Sequence, residues 1–242
     1  MKIDNRLYQT LSVLIPAYNE EKTIKDILKK VIGVELISNL KMEIIVVNDC
    51  SKDNTAMFVE EFINENPTIS LKLLAHEKNQ GKGAAIRTAI KAATGDIVIV
   101  QDADLEYDPE DYNLMIPFIL KEEYQVVYGS RFLNSKNKHS YKSFYWGGRL
   151  VTIATNILFL QRLTDEPTCY KMFDATVIKN IKLNCTGFEF CPEITAKVIK
   201  AGYRILEVPI HYYPRSIEDG KKIKWYDGLE AIWTLLKYRF CN

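Results

Sequence analysis

The sequence lacks the marks of several large protein classes. With 32 Lys and Arg against 31 Asp and Glu, net charge is only +1, so no global field draws the chain to nucleic acid. The five cysteines are odd in number and no two stand at C-x-x-C spacing. That excludes a zinc ribbon and a disulfide framework, and fits a reducing compartment. Cys50 sits between acidic and polar neighbours with no His close by, so a nucleophilic thiol is not indicated. G-x-G-x-x-G is absent, and Gly81-Lys82-Gly83 lacks the rest of a phosphate-binding loop, which removes dinucleotide and P-loop readings. The longest apolar run, VTIATNILFL at 151–160, is about half of the ~20 residues a bilayer span requires and contains Asn156. MKIDNRLYQT at the start has no signal-peptide core. A cytoplasmic chain is expected, with at most peripheral contact to the cytoplasmic face of a membrane.

What is present is an ordinary globular composition, 47% apolar and 26% charged over 242 residues. A chain of this length hides about three quarters of its unfolded surface, so its core needs no staples. Short β-branched runs occur at 11–17, 42–49, 69–75, 96–102 and 124–130, and three of them have near-continuous apolar centres. Between them Ile24, Ile27, Leu28 and Val31 recur with helical spacing, as do Val59, Phe62 and Ile63, and then Ala85, Ile86, Ala89, Ile90 and Ala93. Gly95 reads as a helix stop. Strand–helix alternation predicts an α/β fold with a mainly parallel, Rossmann-like sheet flanked by helices. From about residue 132 the pattern changes. A basic, aromatic loop precedes a helix at 150–163, a second helix runs over 192–201, and a strand follows. A last helix at 225–238 carries Trp225, Leu229, Ile232, Trp233 and Leu236 on its apolar side.

Ligands of open parallel sheets bind beyond the carboxyl ends of the strands. There the first strand runs into Pro16-Ala17-Tyr18-Asn19-Glu20, the second into Asn48-Asp49, the fourth into Asp102-Ala103-Asp104 and the fifth into Ser130-Arg131. Three ends present carboxylates and one a guanidinium, a set suited to a cation, a diphosphate and a polar nucleoside. A D-x-D triplet alone is common. At the end of a buried strand, however, Asp102 and Asp104 can converge on one hard cation such as Mg²⁺ or Mn²⁺, with Glu106 as a third ligand. Asp108, followed by Pro109, reads as a helix N-cap. Gly81 and Gly83 make either a tight turn or, with Lys82 at a helix start, an anion contact.

These motifs, in order, resemble one family. I-P-A-Y-N-E-E at 15–21, V-N-D-C-S-K-D-N-T at 47–55, N-Q-G-K-G-A-A at 79–85, D-A-D-L-E at 102–106 and G-S-R at 129–131 are similar to family-2 glycosyltransferases of the GT-A fold. Within it, T-D-E-P-T-C-Y-K-M-F at 164–173, G-F-E-F-x-P-E-I at 187–194 and V-P-I-x-Y-x-P-R at 208–215 look like the dolichyl- and polyprenyl-phosphate mannose and glucose synthases. The resemblance covers nearly the whole chain. It implies one GT-A domain over 1–242, with 1–131 binding the nucleotide-sugar and 132–242 forming the acceptor side.

By position, Pro16, Ala17, Tyr18, Glu20 and Ala103 would line the nucleoside pocket, and Asp49 would bond base or ribose. Asp102, Asp104 and Glu106 would hold Mg²⁺ or Mn²⁺. Lys82, Arg131, Arg215 and Lys221 (or Lys222) would face phosphates, and the loop 216–224 would close over the site. Asn48 and Cys169 depart from the usual pattern of relatives, leaving the metal ligands untouched.

The implied reaction is an inverting, metal-dependent transfer of a hexose from a GDP-mannose or UDP-glucose type donor to a polyprenyl or dolichyl phosphate, with Asp104 and Arg131 at its centre. A phosphate acceptor needs no general base, whereas a sugar hydroxyl in surface polysaccharide synthesis would need a carboxylate, Glu193 or Asp165. A sugar-nucleotide pyrophosphorylase would carry a glycine-rich, Arg-containing loop where P-A-Y-N-E stands. Lys136, Lys138, Lys142, Trp146 and Arg149 mix charge and aromatics in a way that suits an anionic lipid surface. A membrane-anchored partner is a further expectation; a nucleic-acid partner is not.

Overall fold

The computed structural model describes residues 7–138, 142–215 and 225–241. Its first half alternates as the apolar periods predict, with α4 added to the three helices expected: β1 (Thr10–Ala17), α1 (Ile24–Gly33), β2 (Lys41–Asn48), α2 (Thr55–Glu65), β3 (Leu71–Ala75), α3 (Lys82–Ala92), β4 (Ile97–Val100), α4 (Tyr112–Leu120) and β5 (Val126–Ser130). Then follow α5 (Lys142–Phe159), β6 (Lys171–Asp174), α6 (Ala175–Asn180), α7 (Phe190–Lys200), β7 (Ile205–Pro209) and α8 (Trp225–Phe240).

One seven-stranded sheet runs in the order β3-β2-β1-β4-β6-β5-β7. All pairings are parallel except those of β6, which opposes both β4 and β5. The strands β6 and β7 of the second half therefore complete the sheet begun by the first. Every residue of β4 and β5 is buried, because helices cover both faces. One face packs on Ile24, Ile27, Leu28 and Val31 of α1, together with α2 and α4. The other packs on Ala85, Ile86, Ala89 and Ile90 of α3, and on α6 and α7.

Several expectations change. The helix α3 ends at Ala92, and Gly95 is no left-handed cap. A Cβ there would stand 2.6 Å from Ser12 Oγ, so Gly95 permits close packing. Ser12 Oγ in turn donates to buried Glu43 at 2.6 Å across β1 and β2. The helix expected at 150–163 begins eight residues earlier and ends sooner. Asn156, which interrupts the apolar run, bonds both Leu163 N and Leu163 O at 2.8 Å and folds the chain back. On α8 the buried apolar positions are Ala231, Leu235 and Tyr238, packed with Val151 and Phe159 of α5. Leu229 and Trp233, placed on the apolar side by periodicity, are 60% and 67% exposed. The Trp225 side chain lies outside the described part, and no helix among the described residues is long and apolar enough to cross a membrane.

Candidate active site

The strand ends do meet. A cleft of about 910 Å³ is lined by Pro16, Ala17, Tyr18 and Glu20 after β1, and by Asp102, Ala103, Asp104 and Glu106 after β4. Asp49, Lys82, Arg131 and Arg215 complete its polar end. Lys221 and Lys222 lie outside the described residues, as does all of 216–224.

The turn 79–81 holds the floor. Asp49 Oδ2 accepts from Gly81 N at 2.7 Å, while Oδ1 accepts from Gln80 N at 2.9 Å and contacts His76 Nδ1 at 2.6 Å. Asp49 lines the cleft, and these contacts hold its carboxylate against the 79–81 turn. Gly81 has φ +91, and a Cβ there would fall 2.3 Å from Thr186 O. Gly81 thus makes the tight turn that launches α3 with Lys82 aimed inward, while Gly83, already inside α3, permits close packing, since a Cβ there would stand 2.9 Å from Gly187 O. Lys82 Nζ meets Asp102 Oδ1 at 2.5 Å and donates to Cys169 Sγ at 3.0 Å.

Asp104 Oδ2 accepts from Arg215 Nη2 at 2.8 Å, and Arg215 Nη1 reaches Glu20 at 3.4 Å. Burial, then the charges of Asp102 and Glu106, push the Asp104 carboxyl up to about 7, against the pull of Arg215 and Lys82. Three acids crowd one wall, and the cluster is short of positive charge. Glu106 is also engaged within this wall. Its oxygens accept from Tyr212 Oη at 3.1 Å and Arg215 N at 2.8 Å. Among the described residues no three His, Cys, Asp or Glu side chains form a set able to hold a metal. Asp102 and Asp104 both line the cleft, and Glu106 also anchors the Tyr212–Arg215 segment. Asp108 is the N-cap that sequence predicts, accepting from Glu110 N at 3.2 Å.

Both base candidates are misplaced for that task. Asp165 is fully buried and grips Arg131, its two oxygens accepting from Nε and Nη2, each at 2.7 Å, and from Arg131 N at 2.9 Å. Burial works against the Arg131 charge, and Asp165 more than restores it. Glu193 does not line the cleft. It accepts from the amides of Asn184 and Cys185 and pairs with Lys197, holding the start of α7. Among the groups that sequence reasoning missed, Glu166 and Cys191 face the cleft. Glu166 was legible only as the acid beside Asp165, and Cys191 only as one letter of a helical motif.

Beyond Arg131 the walls change character. Phe144, Gly147, Gly148 and Val151 of α5 and Gly228 and Ala231 of α8 form the far end. The outer sides of these two helices are apolar. Trp146, Leu150, Ile153, Ile157 and Leu160 make one exposed stripe, and Leu229, Trp233, Leu236 and Phe240 another. Arg149 is not on that surface in the way the sequence suggests. It donates to Thr164 O at 3.0 Å and lies over the Phe132 ring. The Lys142 side chain lies outside the described part.

Comparison with known proteins bears on the family and the fold. The chain is 27% identical over 236 residues to a dolichol-phosphate mannosyltransferase of Pyrococcus furiosus, covering 94% of this chain and 64% of that one. It is 30% identical over 240 residues to a dolichyl-phosphate β-glucosyltransferase of Trichomonas vaginalis, covering 94% and 72%. It thus spans about two thirds to three quarters of the length of these relatives. Among solved structures, glucosyl-3-phosphoglycerate synthase from Mycobacterium tuberculosis in complex with Mn²⁺, UDP and its glucosyl product superposes with a TM-score of 0.71. It is 18% identical and aligned over 97% of this chain and 81% of that one; at this identity it supports the GT-A fold alone. The sequence profile of glycosyl transferase family 2 matches residues 12–182, a span that carries the β1 end, the D-x-D segment and the Arg131–Asp165 pair, and the chain belongs to that family.

Proposed function

We propose that this glycosyltransferase moves a hexose from a nucleotide-sugar of the GDP-mannose or UDP-glucose type to a polyprenyl or dolichyl phosphate, inverting the anomeric configuration. The observation that carries this reading is the continuity of the cleft. It runs without a break from the carboxylates and guanidinium at the strand ends to walls on α5 and α8, whose outer stripes are apolar. A polar donor suits the first end, and an acceptor with a phosphate head and a hydrocarbon tail suits the second. The names of the relatives from Pyrococcus furiosus and Trichomonas vaginalis agree with such an acceptor.

The donor's nucleoside would rest on Pro16, Ala17 and Tyr18, with its diphosphate toward Asp102, Asp104 and Arg215. Hard oxygen donors and a deficit of positive charge at Asp104 fit Mg²⁺ or Mn²⁺, held by Asp102 and Asp104 with the diphosphate. A bound ion would offset the charge that develops on the departing nucleoside diphosphate. Lys82 and Arg215, already paired with those carboxylates, add positive charge beside the same oxygens. Arg131, fixed by Asp165, orients phosphate at the junction of the two ends. An acceptor phosphate oxygen attacks the anomeric carbon as the bond to the leaving diphosphate breaks. That oxygen is anionic at neutral pH, so the absence of a well-placed base at Asp165 and Glu193 is no obstacle. The α5 and α8 stripes would rest on the lipid surface, a peripheral contact of the interfacial kind.

The test is transfer of label from GDP-mannose, UDP-glucose, UDP-GlcNAc or UDP-galactose into the organic phase with a polyprenyl phosphate. Transfer from one donor, lost with EDTA and in D104A, is the expected result. Donor hydrolysis without lipid label would overturn the acceptor assignment and favour a glycan hydroxyl. Vesicle binding should weaken in W233S/F240S. Equal binding by that variant would remove the membrane role of α8.

A further inference from the structure

One group in the cleft stands apart by what it does not touch. Glu166 is fully buried and lines the cleft, yet neither carboxylate oxygen has a hydrogen-bond partner among the described residues. Its backbone is firmly placed. Glu166 N donates to Thr152 Oγ1 of α5 at 3.1 Å, and its carbonyl accepts from buried Lys171 Nζ at 2.7 Å. A buried polar side chain almost always has a partner in a folded protein. One held in position without a partner, inside a ligand cleft, is kept for a ligand.

The surroundings decide its ionisation state. Burying an unpaired carboxylate costs far more than burying the neutral acid. Burial pushes the Glu166 carboxyl up; Lys171, the Thr195 hydroxyl of α7 and Arg131 pull it back, and Asp165 adds to the rise. The two cations are otherwise engaged. Lys171 Nζ points to the Glu166 carbonyl and the Tyr128 ring, 3.6 Å from its centroid, and Arg131 is gripped by Asp165. Of the neighbouring charges, Arg149 of α5 bonds Thr164 O, and Glu207 of β7 accepts from the amides of Thr164 and Asp165. From α7, the Cys191 thiol donates to Thr168 O at 3.4 Å, and Asp227 of α8 lines the same cleft.

We propose that Glu166 meets the acceptor as a neutral carboxylic acid, its O–H donating a hydrogen bond to a non-bridging oxygen of the acceptor phosphate. The inference rests on the lipid-phosphate reading above. A carboxylate at this point would repel the incoming phosphate, whereas the acid satisfies its own orphaned donor and turns a second phosphate oxygen toward the anomeric carbon. It also selects. A sugar hydroxyl would need an ionised Glu166 to take its proton, and the buried acid withholds that form. No proton leaves Glu166 in the transfer, so the group binds and orients without acting as acid or base.

The sign of the pH effect follows. The neutral acid is lost as pH rises through a raised carboxyl value, so the acceptor KM should climb on the alkaline side. Acceptor KM and kcat, measured from about pH 6 to about pH 9, and thermal unfolding test this in wild type, E166Q and E166M. E166Q keeps a neutral donor that cannot ionise, so it should transfer to lipid phosphate and flatten the alkaline limb. E166M removes the donor, so acceptor KM should rise about tenfold to a hundredfold at every pH. Its Tm should rise by about 2–4 °C, because an unpartnered polar group leaves the interior. A merely structural glutamate would show the opposite, a lower Tm and no change in the pH profile. Loss of transfer in E166Q as complete as in E166M, or an alkaline limb unchanged in E166Q, would overturn the proposal. Failure of the wild type itself to label lipid would overturn the acceptor reading and this inference together, and is visible without any variant.

Discussion

Asp165→Ala separates a scaffold role from a catalytic one. Asp165 is fully buried and makes three hydrogen bonds to Arg131, two of them to the guanidinium of a side chain only 19% exposed. Removing one partner of a buried pair leaves the other charge uncompensated, at a cost of about 3–5 kcal/mol. Arg131 borders the cleft and can turn toward solvent, which favours the lower end, about 3 kcal/mol. For a chain of this size each kcal/mol moves Tm by about 2–4 °C, so D165A should unfold about 6–12 °C earlier. D165N, which keeps the shape and one acceptor oxygen, should fall between. Circular dichroism melts at neutral pH, with acceptor KM measured on the same samples, provide the assay. A general base would behave differently, with activity abolished, the pH profile altered and Tm unmoved. If D165A melts within about 2 °C of wild type, the scaffold argument is wrong.

Three further outcomes follow from the same geometry. Gly81→Ala forces a Cβ to 2.3 Å from Thr186 O at a φ of +91; strain of about 1–3 kcal/mol plus the clash should appear as a lower urea midpoint. Burial pushes Glu43 up, but hydrogen bonds from Ser12, Thr94 and Lys72 hold its carboxyl at about 2. The stability from that depression is present above the ordinary carboxylate value and is lost as pH falls through about 2. E43Q should therefore cost about 3 kcal/mol at neutral pH, and the gap to wild type should close as pH falls toward about 2. Arg215→Ala strips the guanidinium from Asp104 and Glu20 and should lower kcat by about a hundredfold in donor turnover assays; a loss under about threefold would remove Arg215 from the charge-stabilising set.

How far the sequence reached depends on how local each signal is. Strands β1 to β5 and helices α1 to α3 were legible because a covered parallel strand must be apolar throughout and a helix packed on it must repeat every three to four residues. Strand β6 escaped because K-M-F-D is four residues long, with Lys171 buried against the Glu166 carbonyl and a tyrosine ring, contacts that no period announces. On α8 the period was real but its meaning inverted. Leu229 and Trp233 form the outer stripe, while Ala231, Leu235 and Tyr238 face α5 and α7. A helix with apolar residues on two sides does not say which side is inside.

The site divides in the same way. Sequence alone determined that Asp102, Asp104, Glu20 and Arg131 would gather, since parallel strands deliver their carboxyl ends to one edge of the sheet. It determined too that Asp108 would cap a helix, because an N-cap needs only its next residues. Tertiary structure decided what each gathered group does. Asp49 holds a turn, Glu106 a tyrosine, Asp165 an arginine and Glu193 a helix start, while Glu166, an unremarked letter beside Asp165, is left unpartnered in the cleft. A carboxylate's role depends on which donors reach its oxygens, and those donors come from residues up to 195 positions away, brought near only when the sheet closes.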